Sequence, residues 1–286
     1  MNPFLSVVIL THNQPRELAR LLGSIKSVPE GAEIIVVDDN SDHECVVQAS
    51  EIIGRFREEV SDAVRYEYCE LWSGCGGARN RGADAARGQW IWFVDGDDLI
   101  APDALPRILF AAQRTTRKVL LLNYDIVQPD GKIDRSALAA SGLQPWEVGI
   151  MAWFKVIHTS VLVRFREQIM CEDNDWWMRQ CIHCRNYSVV PGGPCYTYHR
   201  LSAGSVTSVI EQLKIPEGAD PADVRSLDSF LAKRDPKLTE VIAWLFEDLA
   251  ALMKVRVYAA DKDMPESYFD ALDYMIKYFK RLLRVR

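Results

Sequence analysis

Trp90-Ile91-Trp92-Phe93-Val94-Asp95-Gly96-Asp97-Asp98 runs five apolar residues straight into three carboxylates. A short apolar run stopped by Gly and charge reads as a buried strand whose polar end leaves the core. Like charges this close repel and raise one another's pKa unless a cation sits among them. Carboxylate oxygens are hard ligands that suit Mg²⁺ or Mn²⁺, and Mg²⁺ usually takes one or two carboxylates and completes its shell with phosphate oxygens and water. The motif therefore predicts a metal-bound diphosphate. The plainer alternative, a solvated loop capping a helix from Pro102, leaves three adjacent acids unexplained.

Outward from this stretch the first half alternates apolar runs with amphipathic segments. Phe4–Leu10 and Glu33–Val37 read as strands, and Val64–Glu70 alternates Val64, Tyr66 and Tyr68 as a strand does. Between them, Pro15–Ser27 carries Leu18, Leu21, Leu22 and Ile25 at helical spacing, and His43–Phe56 and Gly76–Arg87 suit helices. Pro102–Arg114 and Val119–Asn123 add a helix and a strand. The βα alternation predicts an α/β fold, a mostly parallel sheet flanked by helices. Further on, Ala152–Val163 suits a short strand, Asn174–Cys184 a helix and Tyr196–His199 an edge strand. Leu238–Val257 and Ser267–Val285 read as long helices of an all-helical C-terminal appendage.

Ligands of open parallel sheets bind at the carboxyl ends of the strands. Three predicted strands end in polar clusters: Thr11-His12-Asn13, Asp38-Asp39-Asn40-Ser41, and Asp95 to Asp98. Any one of them could serve only as a helix cap, but all three on one sheet point to one polar cleft. Upstream, Gly74-Cys75-Gly76-Gly77-Ala78-Arg79-Asn80-Arg81-Gly82 can present backbone N–H groups and guanidinium charge to an anion. It is no P-loop, and no G-x-G-x-x-G follows the first strand, which disfavours a dinucleotide site.

Ser6-Val-Val-Ile-Leu-Thr-His-Asn13 and Ile34-Ile-Val-Val-Asp-Asp-Asn-Ser41 resemble the opening of glycosyltransferase family 2, which has a GT-A fold. Ala78-Arg-Asn-Arg-Gly82 and Gly88-Gln-Trp-Ile-Trp-Phe-Val-Asp-Gly-Asp-Asp98 resemble that family's central block. The resemblance is close over residues 4–110 and weaker over 150–205. It implies a GT-A domain over 1–205, with a nucleotide-sugar half over 1–125 and an acceptor half over 126–205, followed by a helical region over 206–286.

The resemblance also implies a nucleotide-sugar donor, usually a UDP-sugar, a divalent cation (Mn²⁺ or Mg²⁺), and inversion by direct displacement. Thr11, Asn13 and Asp39 fall where the family holds the nucleoside. Asp95, Asp97 and Asp98 fall on the metal-and-diphosphate motif, with Asp97 and Asp98 the favoured metal ligands. Arg79 would lie near the donor phosphates or sugar. Cys171-Glu172-Asp173-Asn174-Asp175-Trp176-Trp177 fits the family's Glu-Asp motif, which makes Asp173 the candidate base for the acceptor hydroxyl and Glu172 the second candidate. Helix capping with first-turn acids is the competing reading of that cluster. Trp176 or Trp177 would offer a sugar-stacking face or belong to the core. His199 and Arg200 are candidates for closing over the diphosphate, although His-Arg departs from the family's Arg-x-His order.

Composition sets the outer bounds. With 48% hydrophobic and 26% charged residues the chain can bury a core. A net charge of −6 argues against nucleic acid as a partner. No apolar run reaches the ~18 residues of a membrane span, and the first residues lack a basic stretch before their apolar run, so a cytoplasmic protein with reduced thiols is expected. The acceptor is expected to be a glycan or a lipid-linked glycan. Lys277, Lys280, Arg281, Arg284 and Arg286 lie among Ile276, Tyr278, Phe279, Leu282 and Leu283, and a basic amphipathic helix over 276–286 suits peripheral contact with the inner face of a membrane. A solvated helix end or a homo-oligomer contact are its alternatives. Two other functions compete: a metal-dependent phosphohydrolase or nucleotidyltransferase using the acidic strand end, and a zinc-binding interaction module built from Cys171, Cys181, Cys184, Cys195, His183 and His199.

Overall fold

The protein is seen in a computed structural model that describes residues 3–136, 142–167, 172–200 and 236–283. Cys171, the expected domain boundary at 205, and Arg284 and Arg286 lie outside the described residues.

β1 (Leu5–Thr11), β2 (Ala32–Asp38) and β4 (Trp90–Asp95) are near-continuous apolar runs, as strands covered on both faces must be; every residue of β1 and β2 is buried. β3 (Val64–Tyr68) completes the first half. α1 (Pro15–Ser24) opens with Pro, whose missing N–H costs nothing at a first turn, and buries Leu18, Leu21 and Leu22. α2 (His43–Glu59), α3 (Gly74–Ala85) and α4 (Ala104–Arg114) are the other crossovers.

The remaining strands are β5 (Leu99–Ile100), β6 (Val119–Leu121), β7 (Tyr124–Val127), β8 (Ile133–Arg135), β9 (Lys155–His158), β10 (Ser188–Val189) and β11 (Tyr196–His199), with α5 (Asp173–His183) between β9 and β10. Seven strands form one sheet in the order β10-β6-β9-β4-β1-β2-β3. β1 pairs in parallel with both β2 and β4, while β9 runs antiparallel to β4 and β6. The chain leaves β1 in opposite directions across the sheet, so a crevice opens where the carboxyl ends of β2, β1 and β4 meet. The register brings Leu10 beside Asp95 and Thr11 beside Asp38, so the polar clusters become neighbours.

A second sheet, in the order β5-β11-β7-β8, corrects the reading of Tyr196–His199 as an edge: β11 lies between β5 and β7. β5 has two residues and β7 four, too few for a periodic signal to announce them.

The described part of the C-terminal region holds two helices, α6 (Pro236–Ala260) and α7 (Glu266–Leu283), packed on each other and on α5. Tyr268 Oη donates to the Met178 carbonyl at 3.0 Å. Ile276 and Phe279 are buried, so the apolar side of α7 already packs inward, while Lys277, Tyr278 and Arg281 face out. Among the described residues no helix is long and apolar enough to cross a membrane.

Candidate active site

At the ends of β1 and β2 the polar side chains mostly hold the chain in place. Thr11 is buried, and its carbonyl accepts the Asp39 amide at 2.9 Å. Asn13 takes a left-handed φ of 54°, rare outside Gly and commonest for Asn and Asp, and its side-chain carbonyl accepts the Asp42 amide at 2.7 Å. Asp38 accepts from Tyr66 Oη at 2.6 Å and the Ser41 amide at 2.8 Å. Asp39 Oδ1 accepts from both the amide (2.9 Å) and the hydroxyl (2.7 Å) of Ser73, which fixes the start of α3 against β2.

At the end of β4 the acids have different surroundings. Gly96 is required there, because a Cβ would lie 2.2 Å from the Leu10 carbonyl oxygen. Asp98 is fully buried; Tyr196 Oη donates to it at 2.5 Å and the His199 amide at 2.7 Å. Burial, then the charges of Asp95 and Asp97, push its carboxyl up to about 8. Asp97 is half-buried and pushed up to about 6 by burial and then the charge of Asp95. Asp95 keeps 29% of its side chain exposed. Of the two expected metal ligands, Asp97 is thus open and Asp98 is enclosed. Two half-open carboxylates, Asp95 and Asp97, are a fitting donor set for a hard cation that takes its other ligands from a diphosphate. No three His, Cys, Asp or Glu side chains converge on a metal point among the described residues.

Arg79 joins this strand end to the second half of the chain. It is buried within α3, and its guanidinium meets Asp95 at 3.0 Å, Glu172, and Asp173 at 3.4 Å. Gly76 lets the strap before α5 approach α3: a Cβ there would lie 1.8 Å from the Arg166 carbonyl oxygen. Glu172 is pushed up to about 7 by burial, against the pull of Arg79. Asp173 is raised too; burial is the largest cause, opposed by Arg79 and Lys155 and reinforced by Asp95. Asp173 Oδ2 accepts the Ala152 amide at 3.3 Å. Its Oδ1 is buried and has no hydrogen-bond donor among the described residues.

The structure thus brings Arg79, Asp95, Glu172 and Asp173 into one cluster, with Asp97 on the β4 turn beside it. His199 sits next to Asp98, its Nδ1 3.9 Å from Asp98 Oδ1. Burial, aided by the Arg20 charge, lowers its proton affinity and favours neutral imidazole. Arg200 follows it, its amide donating to the Val127 carbonyl at 3.0 Å. Arg81 points away from Arg79 and lines a separate polar cleft of about 490 Å³ with Tyr68, Arg164 and Glu167.

Trp176 and Trp177 are both fully buried, and Trp176 stacks on Phe165 at 4.3 Å, so neither offers a face to a sugar. Cys181, Cys184 and Cys195 are buried free thiols, and burial raises all three, as befits apolar packing rather than a zinc site. Sequence reasoning passed over Tyr196 and Lys155. Lys155 carried a signal, a lone charge inside Trp153-Phe154-Lys155-Val156-Ile157.

The solved structure of S. aureus TarS 1–349 in complex with UDP-GlcNAc overlays on 97% of this chain and 92% of its own at a TM-score of 0.58, with 19% identity. The mannosyltransferase PcManGT from Pyrobaculum calidifontis, in complex with GDP-Man and Mn²⁺, overlays on 99% of this chain and 86% of its own at 0.56, with 12% identity. These likenesses establish the GT-A fold. The succinoglycan biosynthesis protein ExoO of Rhizobium meliloti (strain 1021) is 33% identical over 132 residues, which are 46% of this chain and 36% of that protein; the match spans little more than a third of the relative. The profile of glycosyl transferase family 2 matches residues 6–183, more than half of the sequence, and the chain belongs to that family.

Proposed function

We propose that this chain is an inverting glycosyltransferase that moves a sugar from a nucleoside-diphosphate donor, a UDP-sugar, to a hydroxyl of a glycan or lipid-linked glycan. The observation that carries the reading is Arg79, buried and bridging Asp95 at the donor strand end to Glu172 and Asp173 at the head of α5. A network that ties a diphosphate-binding motif to a carboxylate pair suits a reaction in which one group receives the leaving diphosphate and another takes a proton. The donors held by TarS and PcManGT support the donor class, and the name of ExoO supports a polysaccharide acceptor.

Thr11 and Asp39 border the nucleoside, with Asn13 shaping the turn between them. Asp97, with Asp95 beside it, would hold Mn²⁺ or Mg²⁺, which when bound neutralises charge on the leaving diphosphate. Asp98 braces the turn from beneath by fixing Tyr196 and the His199 amide, which sets His199 and Arg200 over the diphosphate. The Asp173 carboxylate accepts the proton of the acceptor hydroxyl as that oxygen bonds to the anomeric carbon. The bond from that carbon to the diphosphate oxygen breaks, and the nucleoside diphosphate leaves with its electrons. Glu172, near neutrality in its proton affinity, keeps Arg79 from pulling Asp173 wholly to one side. Displacement from the opposite face inverts the anomeric centre.

The test is a panel of nucleotide sugars with Mn²⁺ and glycan acceptors, read by release of free nucleotide. One donor should be consumed by the wild type, while Asp173→Asn should bind that donor and lose transfer by about a hundredfold or more. Phosphate release from simple esters without any sugar transfer would overturn the reading in favour of a phosphohydrolase.

A further inference from the structure

Lys155 is the first residue of β9 and is fully buried. Its Nζ donates to the Gly149 and Met151 carbonyls, each at 2.6 Å. The ammonium also lies 3.6 Å from the Phe154 ring centroid and 4.4 Å from that of Trp177. No carboxylate hydrogen-bonds to it among the described residues. Burying an ammonium without a bonded counter-charge is costly. Methionine, with a similar reach, would fill the same aromatic slot without that cost. Packing alone therefore does not account for a lysine here.

Its surroundings point to a different role. The two carbonyls converge on Nζ because the chain turns over it, and the next residue, Ala152, delivers its amide to Asp173 Oδ2 at 3.3 Å. Met151 enters that turn at φ −54° and ψ 136°, and Ala152 opens the short helical turn Ala152–Phe154. Burial pushes the Lys155 amine well below the ordinary lysine range, opposed by the titratable groups that face it, Asp173 and Cys181, both on α5. Burial keeps the Cys181 thiol protonated, which leaves Asp173 as the carboxylate in its field. Asp173 in turn faces Arg79 from α3, Asp95 from β4, Lys155 from β9 and Glu172 in its own turn.

We propose that Lys155 is a positioning residue for Asp173: it clamps the Gly149–Met151 turn so that the Ala152 amide fixes Oδ2. The carboxyl group is thereby held in one orientation, with Oδ1 3.4 Å from the Arg79 guanidinium. The inference rests on the reading of Asp173 as base.

The test uses the full chain and compares wild type with Lys155→Met, Lys155→Gln and Asp173→Asn in steady-state transfer across pH. Lys155→Met should lower kcat about tenfold or more, leave the donor KM within about twofold, and move the acid limb of kcat upward by about half a pH unit or more. The sign follows from the loss of the Ala152 N–H at Oδ2, which favours the carboxylate form. Lys155→Gln, which keeps donors for the carbonyls, should recover part of kcat and bring the limb back toward its wild-type position. A folded Lys155→Met protein with wild-type kcat and an unmoved limb would overturn the proposal, as would failure of both Lys155 variants to fold, which would assign the residue to folding. If Asp173→Asn retains transfer, the base reading itself falls and takes this inference with it. If Asp173→Asn is dead while Lys155→Met is unaffected, only the role of Lys155 is lost.

Discussion

Asp97 and Asp98 are adjacent and chemically identical, yet the fold gives them opposite surroundings. Asp98 accepts from Tyr196 Oη and the His199 amide inside the core, whereas Asp97 faces the cleft. Asp98→Ala would strand two buried donors and should destabilise the fold by about 2 kcal/mol, seen as a lower melting temperature. Asp97→Ala should leave the melting temperature within a degree or two and abolish cation-dependent donor binding. Equal melting temperatures for the two variants would contradict this division of roles. Gly96→Ala should fail more completely than either, since its Cβ would meet the Leu10 carbonyl oxygen at 2.2 Å and force apart the ends of β1 and β4. That three acids crowd the end of β4 was legible in the sequence. Which of them is enclosed was not, because that depends on Tyr196, about a hundred residues downstream in the chain.

At the scale of elements, the main sheet was readable because β1, β2 and β4 are long apolar runs ending in Asp, Asn or Thr. The second sheet was not, since its pairings join short segments far apart in sequence, such as Tyr196 with Ile100 and with Tyr124. The link from the C-terminal helices to the site was equally hidden. Arg166 pairs with Asp175 at 2.6 Å and with Asp248 of α6, and Asn174 reaches Asp248 at 3.4 Å. These contacts grip the first turn of α5, next to Asp173, from a helix beyond the family-matched segment. Asp248→Ala removes one partner of a buried pair and should cost about 3 kcal/mol of stability. It should also lower transfer more than donor affinity, because the donor strand ends do not touch α6. Circular dichroism melts and paired kcat and KM measurements check both effects.

Across the whole molecule, buried carboxyls set the response to pH. Asp97 is pushed up to about 6, Glu172 to about 7, and Asp98 and Asp248 to about 8, with burial the largest cause in each. Each group's folded affinity for its proton exceeds its unfolded one, so folding takes up protons between the ordinary carboxyl range and about pH 8. The stability they contribute is present at the acid end of that window and is lost as pH rises through it. The melting temperature of the metal-free chain should therefore fall between about pH 5 and about pH 8. A flat or rising profile over that window would show these carboxyls to be ionised and compensated in the folded state.

On the proposed mechanism, the end of β4 grips a nucleoside diphosphate through a divalent cation. Calorimetric titration of UDP and of GDP, with and without Mn²⁺, into the wild type, Asp97→Ala and Asp173→Asn tests it most directly. One nucleotide should bind only with Mn²⁺, lose about a hundredfold in affinity in Asp97→Ala, and bind Asp173→Asn as it binds wild type. Equal affinity of that nucleotide for wild type and Asp97→Ala, or binding indifferent to Mn²⁺, would contradict it.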